Sequence, residues 1–349
     1  MAKRTAPVAP LVPDDLWREL YRAAVGFQTQ APWRWMNDDH AFGVSNEFGV
    51  RLISVMGNCA QVFGLVSYRS ETGVNMLLGL LSGGIPPETD DSMFYQDSLL
   101  VDFVPRAELR QQDKDVIKSI GFEPAPFRPR RFPKFTRYKP GFVPWFLNEP
   151  EARSLLDDLR KAARFADLVR ANPERFKSRR PADFPFFPAA IADPLTLEQF
   201  EWHTLTPSPI GADPLVDPQK LGAAGLSRHA RSSDAAWEVS AFFSRSPISE
   251  EGAVPYWPKM ALGADARSGM ILGFELGSTQ DTMADTAARL LVKTIKTAGV
   301  RPALVGMDSL NVSQALKPLA DALEIKIVVT RELPMIEEAR RSLKAFQAR

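Results

Sequence analysis

Five acidic residues in the last third of the chain are of the type that could bind a divalent cation. They are Glu238, Asp265, Asp308, Glu337 and Glu338. Nucleases that use two metal ions need several carboxylates around ions about 4 Å apart, which stabilise the attacking and leaving oxygens. The two aspartates and the last two glutamates also have a structural interpretation, because Asp starts turns and caps helices, and Glu favours the first turn of a helix. Catalysis and structure therefore both stay open for this set.

The segment of residues 127–139 combines cations with aromatic rings. Its sequence is FRPRRFPKFTRYK, and no acidic residue interrupts it. Cations beside rings that stack on bases are the elements of a surface for single-stranded nucleic acid. The predicted contact residues are Arg128, Arg130, Arg131, Lys134 and Arg137. The alternative is a linker whose arginines pair with surface carboxylates and whose prolines, lacking an amide donor, keep it outside any sheet.

Other kinds of chemistry lack the residues that they need. Cys59 is the only cysteine, so an internal disulfide and a zinc site built on several cysteines are excluded. His40, His203 and His229 are not spaced as metal ligands on a helix or a hairpin. Neither a G-x-S-x-G elbow nor a glycine-rich nucleotide loop is present. We therefore expect no cofactor and no metal, except Mg²⁺ if the protein is a nuclease.

Composition is typical of a globular protein. Of the 349 residues, 45% are hydrophobic and 24% are charged, which argues against a disordered or fibrous class. The formal net charge of +1 gives no overall attraction to nucleic acid or to anionic lipid. No apolar run approaches the ~20 residues that span a bilayer, and the N-terminus lacks the apolar core of a signal peptide. We expect a cytoplasmic protein without a membrane partner.

The C-terminal part of the chain alternates strands and helices regularly. Apolar patterns predict strands at 237–243, 260–264, 270–276, 303–307 and 325–329, and helices at 281–298, 312–323 and 334–346. The order β-β-β-α-β-α-β-α predicts one sheet flanked by helices, in which the fourth and fifth strands run parallel to the first. Ser278 is predicted to cap the first of these helices.

The N-terminal part also has an α/β pattern. It predicts helices at 13–27, 71–81 and 108–120, a hairpin of strands at 51–56 and 61–68, and strands at 99–104 and 200–205. The clearest helix, at 148–171, begins with Asn148 and has Glu151 three residues later, which is a capping box. We expect an N-terminal α/β domain at 1–122, a proline-rich connector with the long helix at 123–233, and a C-terminal α/β domain at 234–349.

Two segments of the C-terminal domain resemble the opening strands of integrase and transposase cores, which have the RNase H-like fold. They are WEVS at 237–240 and MALGADARSG at 260–269. The resemblance implies an RNase H-like fold for this domain. It also implies catalytic carboxylates at Asp308, which ends the fourth strand, and at Glu337 or Glu338 in the last helix.

The chain departs from that pattern at the first carboxylate. The pattern places it three residues after the tryptophan, where this chain has Ser240. A serine hydroxyl cannot replace an anionic ligand of a hard cation. Glu238 lies two residues earlier, on the same face of the strand, and is the nearby substitute.

Most of the chain is also similar to a family of uncharacterised bacterial proteins. The similar segments are APWRWM at 31–36, YKPGFVPWFL at 138–147, LKPLA at 316–320 and PMIEEA at 334–339. This resemblance implies a bacterial cytoplasmic setting and no particular activity.

Two functions follow from these patterns. The first is a non-catalytic binding or scaffolding protein, which needs an exposed apolar patch. The alternative is a divalent-metal-dependent nuclease or another nucleic-acid-processing enzyme, which needs clustered carboxylates. The arrangement of Glu238, Asp265, Asp308 and Glu338 distinguishes the two.

Overall fold

The contacts between residues divide the chain into an N-terminal and a C-terminal unit. The computed structural model describes residues 12–58, 62–82, 92–123, 130–177, 180, 182–189, 194–206 and 213–347. The N-terminal unit contains Met1–Ile210 and Glu251–Val254, and the C-terminal unit contains Gly211–Glu250 and Pro255–Arg349. Among the described residues, no helix is both long enough and apolar enough to cross a membrane.

A mixed sheet of seven strands forms the centre of the N-terminal unit. Its strands are β1 (Phe42–Asn46), β2 (Gly49–Met56), β3 (Gly64–Arg69), β4 (Ser98–Val104), β5 (Phe132–Tyr138), β6 (Asp183–Phe186) and β7 (Glu201–Thr204). Their order is β5-β4-β3-β2-β1-β6-β7. Strands β1 and β6 run parallel, and the other neighbours are antiparallel. The predicted hairpin is confirmed as β2 and β3.

The helices of this unit are α1 (Asp14–Gln30), α2 (Ser70–Leu81), α3 (Ser92–Tyr95), α4 (Gln111–Ser119) and α5 (Glu149–Ala171). Helices α1 and α5 pack together, and their apolar residues form one buried cluster with residues of β1–β5. Helix α5 begins at the predicted capping box. The Asn148 side chain accepts from the Glu151 amide at 2.9 Å, and the Glu151 carboxylate accepts from the Asn148 amide at 2.9 Å.

A buried ion pair lies within this unit. Arg51 of β2 and Asp158 of α5 have no solvent-exposed side-chain surface. The Arg51 guanidinium donates to Asp158 through Nε at 2.9 Å and Nη2 at 2.8 Å, and the Ser67 hydroxyl donates to the same carboxylate at 2.7 Å. Two strands are thereby joined to α5 at the sheet face that α5 covers.

The prediction that residues 127–139 lie outside both sheets is wrong. Residues 132–138 form β5, which pairs along its whole length with β4. Strand β5 is at the edge of the sheet, where a proline such as Pro133 is tolerated because its missing donor faces away from the ladder. The predicted connector, 123–233, thus contains strands β5, β6 and β7 of the N-terminal sheet.

The C-terminal unit has a five-stranded sheet. Its strands are β9 (Ala236–Phe243), β10 (Lys259–Asp265), β11 (Ile271–Gly277), β13 (Leu304–Met307) and β14 (Lys326–Val329), and a separate short parallel pair is formed by β8 (Arg231–Ser232) and β12 (Val300–Arg301). The order is β11-β10-β9-β13-β14. Strands β9, β10 and β11 are antiparallel neighbours, whereas β13 and β14 run parallel to β9. The predicted single sheet and its strand directions are confirmed.

Helices cover the two faces of this sheet unequally. They are α6 (Ala223–His229), α7 (Met283–Ala298), α8 (Leu310–Leu323) and α9 (Pro334–Gln347). Helix α7 lies on the face of Gly263 and Gly273, both of which approach Leu290, and α8 packs beside α7. Helix α9 lies on the opposite face, where Leu262 forms a buried cluster with Ile336. One face therefore has two adjacent helices, and α9 packs on the other.

Candidate functional site on the C-terminal unit

Glu238 lies on β9 under the N-terminus of α9. Its side chain is buried, and Oε2 accepts hydrogen bonds from the amides of Met335 at 3.0 Å and Ile336 at 3.1 Å. The first amides of a helix lack partners within the helix and carry its positive dipole end. The Glu238 carboxylate thus satisfies two of these amides and fixes α9 to the sheet.

Ser240, within β9, lies beside Asp308, which directly follows β13. The buried Ser240 hydroxyl donates to Oδ2 of Asp308 at 2.6 Å. A two-metal site of the integrase type would have a carboxylate at each of these positions, and this chain instead has a neutral donor next to one carboxylate. Asp308 does not cap the following helix, since Ser309 accepts from the Val312 amide at 3.3 Å.

The side chain of Asp265 stabilises the turn that follows β10. Its Oδ1 accepts hydrogen bonds from the amides of Arg267 and Ser268 and from the Ser268 hydroxyl. The hydrogen bonds from Ser268 hold the pKa of Asp265 below its usual range. The turn closes where the Gly269 amide donates to the Asp265 carbonyl at 2.9 Å, and Gly269 has a φ of 71°. The Asp265 carboxylate is therefore engaged in the turn.

The two glutamates of α9 differ in their surroundings. Glu337 is in the first turn of the helix, where an acidic side chain is favourable. Glu338 is exposed and lines an apolar groove. Among the described residues, no group of three or more His, Cys, Asp or Glu side chains is arranged to hold a metal ion. The Mg²⁺ centre that the integrase resemblance implies does not fit these residues, because Glu238 is engaged with two amides and Ser240 is uncharged.

The groove lies beside α9, over the edge of the sheet. It has a volume of about 570 Å³. Met260 and Leu262 of β10 and Ile271 and Phe274 of β11 line one side, and α9 lines the other with Met335, Glu338, Ala339 and Ser342. Phe274 is 59% exposed. Several adjacent apolar side chains open to solvent are a feature of binding surfaces.

Sequence reasoning did not predict this groove. Exposed apolar residues lie in β11 and the turn before it, at Met270, Ile271, Phe274 and Leu276. A register shift in the pairing of β10 and β11 at Gly263 and Ala264 breaks the regular alternation. In the sequence, the apolar run at 270–276 is typical of an ordinary buried strand. Only the position of α9 shows which of its side chains remain uncovered.

The cations of the basic segment are dispersed. The Arg131 guanidinium donates to the Phe103 carbonyl at 2.9 Å and lies 5.1 Å from the centre of the Phe63 ring. Arg137 lies 3.6 Å from the Glu151 carboxylate and is largely buried. Lys134 is opposite Asp102, where burial raises the pKa of Asp102 and the Lys134 ammonium opposes that rise. Arg130 is exposed, and Arg128 lies outside the described residues.

Comparison with known proteins identifies a domain in each unit. Residues 17–185 match the model of a domain of unknown function (DUF7309), within the N-terminal unit. Residues 224–344 match the model of a second domain of unknown function (DUF6930), which, apart from Glu251–Val254, lies in the C-terminal unit. No curated protein matches the sequence. Both matched regions have a mixed α/β structure, and neither match carries an activity.

Proposed function

We propose that this chain is a non-catalytic binding protein of the bacterial cytoplasm, whose C-terminal unit is an RNase H-like domain adapted to bind a partner. The proposal rests on the hydrogen bonds that Glu238 makes with α9. Its carboxylate accepts from the amides of Met335 and Ile336 and so holds α9 beside an open apolar groove.

The strand order supports the RNase H-like assignment. Three antiparallel strands are followed by two that run parallel to the first, and helices separate β11 from β13 and β13 from β14. A fold does not determine a function, so the side chains decide between binding and catalysis. Mg²⁺ dehydrates reluctantly and is bound through carboxylates together with substrate phosphates. With Ser240 donating to Asp308, this site offers one exposed carboxylate where two metals would need bridging ligands.

We expect no metal-dependent cleavage of nucleic acid by the purified protein. The test incubates it with Mg²⁺ or Mn²⁺ and with single-stranded, duplex and RNA–DNA hybrid substrates. The expected result is that every substrate stays intact. Cleavage that disappears in both the Glu238→Gln and the Asp308→Asn variants would overturn the proposal, because it would place both carboxylates in a nuclease site.

A further inference from the structure

We propose that the groove beside α9 binds an amphipathic α-helix of a partner protein, with a basic residue of that helix next to Glu338. This inference rests on the proposed binding function and names the partner's chemistry. It follows from the size of the uncovered surface, from its apolar character and from its single charge.

The uncovered surface has the dimensions of one helix. Leu262 of β10 is buried under α9, so the open strip extends from Met260 outward over the edge strand β11. Neighbouring strands are about 4.8 Å apart, so this strip is about 5–10 Å wide. An α-helix with its side chains is about 10 Å in diameter. The opposite face of the same sheet has α7 and α8 packed side by side, whereas among the described residues α9 is the one helix that lines the groove. The open strip next to α9 therefore has room for a second helix on this face.

The side chains of the strip suit the apolar face of such a helix. Leu276 and Phe274 lie opposite Met260 and Leu262 in the pairing of β11 with β10, so these four side chains share a face. Phe274, Ile271 and Leu276 remain 59%, 46% and 46% exposed. An amphipathic helix presents apolar residues three and four positions apart, and recognition by a hydrophobic groove uses that spacing.

The charge of the groove favours a basic partner. Glu338 is exposed on the α9 side, and no described Lys or Arg pairs with it. The neighbouring cation Arg340 is engaged elsewhere, with its guanidinium 4.2 Å from the centre of the Phe242 ring. A Lys or Arg at the edge of the bound helix would face Glu338, and such complementary charges add specificity at an interface.

The test measures binding of synthetic helices to the full chain. The probe is a fluorescent peptide of about 16 residues with leucines three and four positions apart, cross-linked between side chains so that it stays helical in water. One version has lysines beside the leucines, a second has glutamates there, and a third has two prolines that prevent the helix. Fluorescence anisotropy gives the dissociation constant of each.

Two protein variants make the test specific. Phe274→Asp introduces a charge into the groove, and Leu310→Asp is its matched control, because Leu310 on α8 is 58% exposed in the same unit. We expect Phe274→Asp to weaken binding of the lysine helix by about tenfold or more, since it loses apolar contact and buries a charge. Leu310→Asp should leave it unchanged. Glu338→Lys should reverse the preference between the lysine and glutamate helices.

Several outcomes would overturn the inference. The proline peptide could bind as tightly as the lysine helix, or Leu310→Asp could weaken binding as much as Phe274→Asp. The lysine helix could also fail to bind. Binding of a fluorescent fatty acid in the groove that no peptide displaces would also overturn it, and would identify a small apolar ligand. None of these results would test the proposed non-catalytic function, because the cleavage assay decides whether the protein is a nuclease.

Discussion

Replacement of Asp158 with alanine is expected to lower the free energy of unfolding by about 3–5 kcal/mol. Burial raises the pKa of Asp158, and the Arg51 guanidinium beside it opposes that rise. Once the carboxylate is removed, Nε of Arg51 loses both of its acceptors, Oδ1 at 2.9 Å and Oδ2 at 3.2 Å. Asp157 contacts only Nη2, at 3.2 Å, so it cannot replace them. The source of the cost is therefore a buried guanidinium that keeps Asp157 as a carboxylate partner at Nη2 but loses its acceptors at Nε.

Urea unfolding of the purified chain measures this change. The matched control is Glu149→Ala, which removes an exposed ion pair of the same helix with Arg153 and should cost less than about 1 kcal/mol. The double variant Arg51→Met with Asp158→Leu should recover much of the stability, because apolar residues of similar size can replace a buried ion pair. If Asp158→Ala lowers the free energy of unfolding no more than Glu149→Ala does, the ion pair of Arg51 and Asp158 is not buried.

Replacement of Glu238 with alanine is expected to lower the free energy of unfolding by about 2–3 kcal/mol and to loosen the start of α9. The amides of Met335 and Ile336 would lose a charged acceptor in a largely buried position. Because α9 forms one wall of the groove, the same change should weaken binding of the lysine helix. Glu238→Gln should cost less, since its amide oxygen can still accept.

Hydrogen exchange locates this effect. The amides of Met335 and Ile336 should exchange faster in Glu238→Ala than in the unaltered protein. Ser309→Ala is the control, because it removes the cap of α8 at a cost of about 1 kcal/mol and should not change exchange in α9. Unchanged exchange at both α9 amides would contradict the capping role of Glu238.

Local patterns predicted much of the C-terminal unit and the start of α5. The five strands of the C-terminal sheet and their directions were predictable because apolar runs alternate there with well-spaced helices. Asn148 and Glu151 form the predicted capping box because that motif depends only on residues three apart. The prediction of Ser278 as a helix cap is wrong, since Thr282 and Asp285 cap α7 through the same reciprocal bonds. Two cap motifs close together made the boundary ambiguous.

Distant contacts determined what the sequence left open. Arg51 and Asp158 are separated by more than a hundred residues, and only an arginine within the apolar run of β2 hinted at a buried partner. Strand β5 was missed because its cations suggested a solvated segment, whereas Arg137 meets Glu151 of α5. The candidate carboxylates could be identified by type, but their hydrogen-bond partners come from α9 and β9. Those partners favour a structural role over a metal site.

The proposal that Glu238 and Asp308 form no catalytic metal site is tested most directly by locating Mn²⁺ in soaked crystals of the full chain by anomalous scattering. We expect no manganese peak between Glu238 and Asp308, and we expect the Glu238 carboxylate to remain bonded to the amides of Met335 and Ile336. A manganese ion bound by the carboxylates of Glu238 and Asp308, with the bonds to α9 broken, would contradict the non-catalytic function.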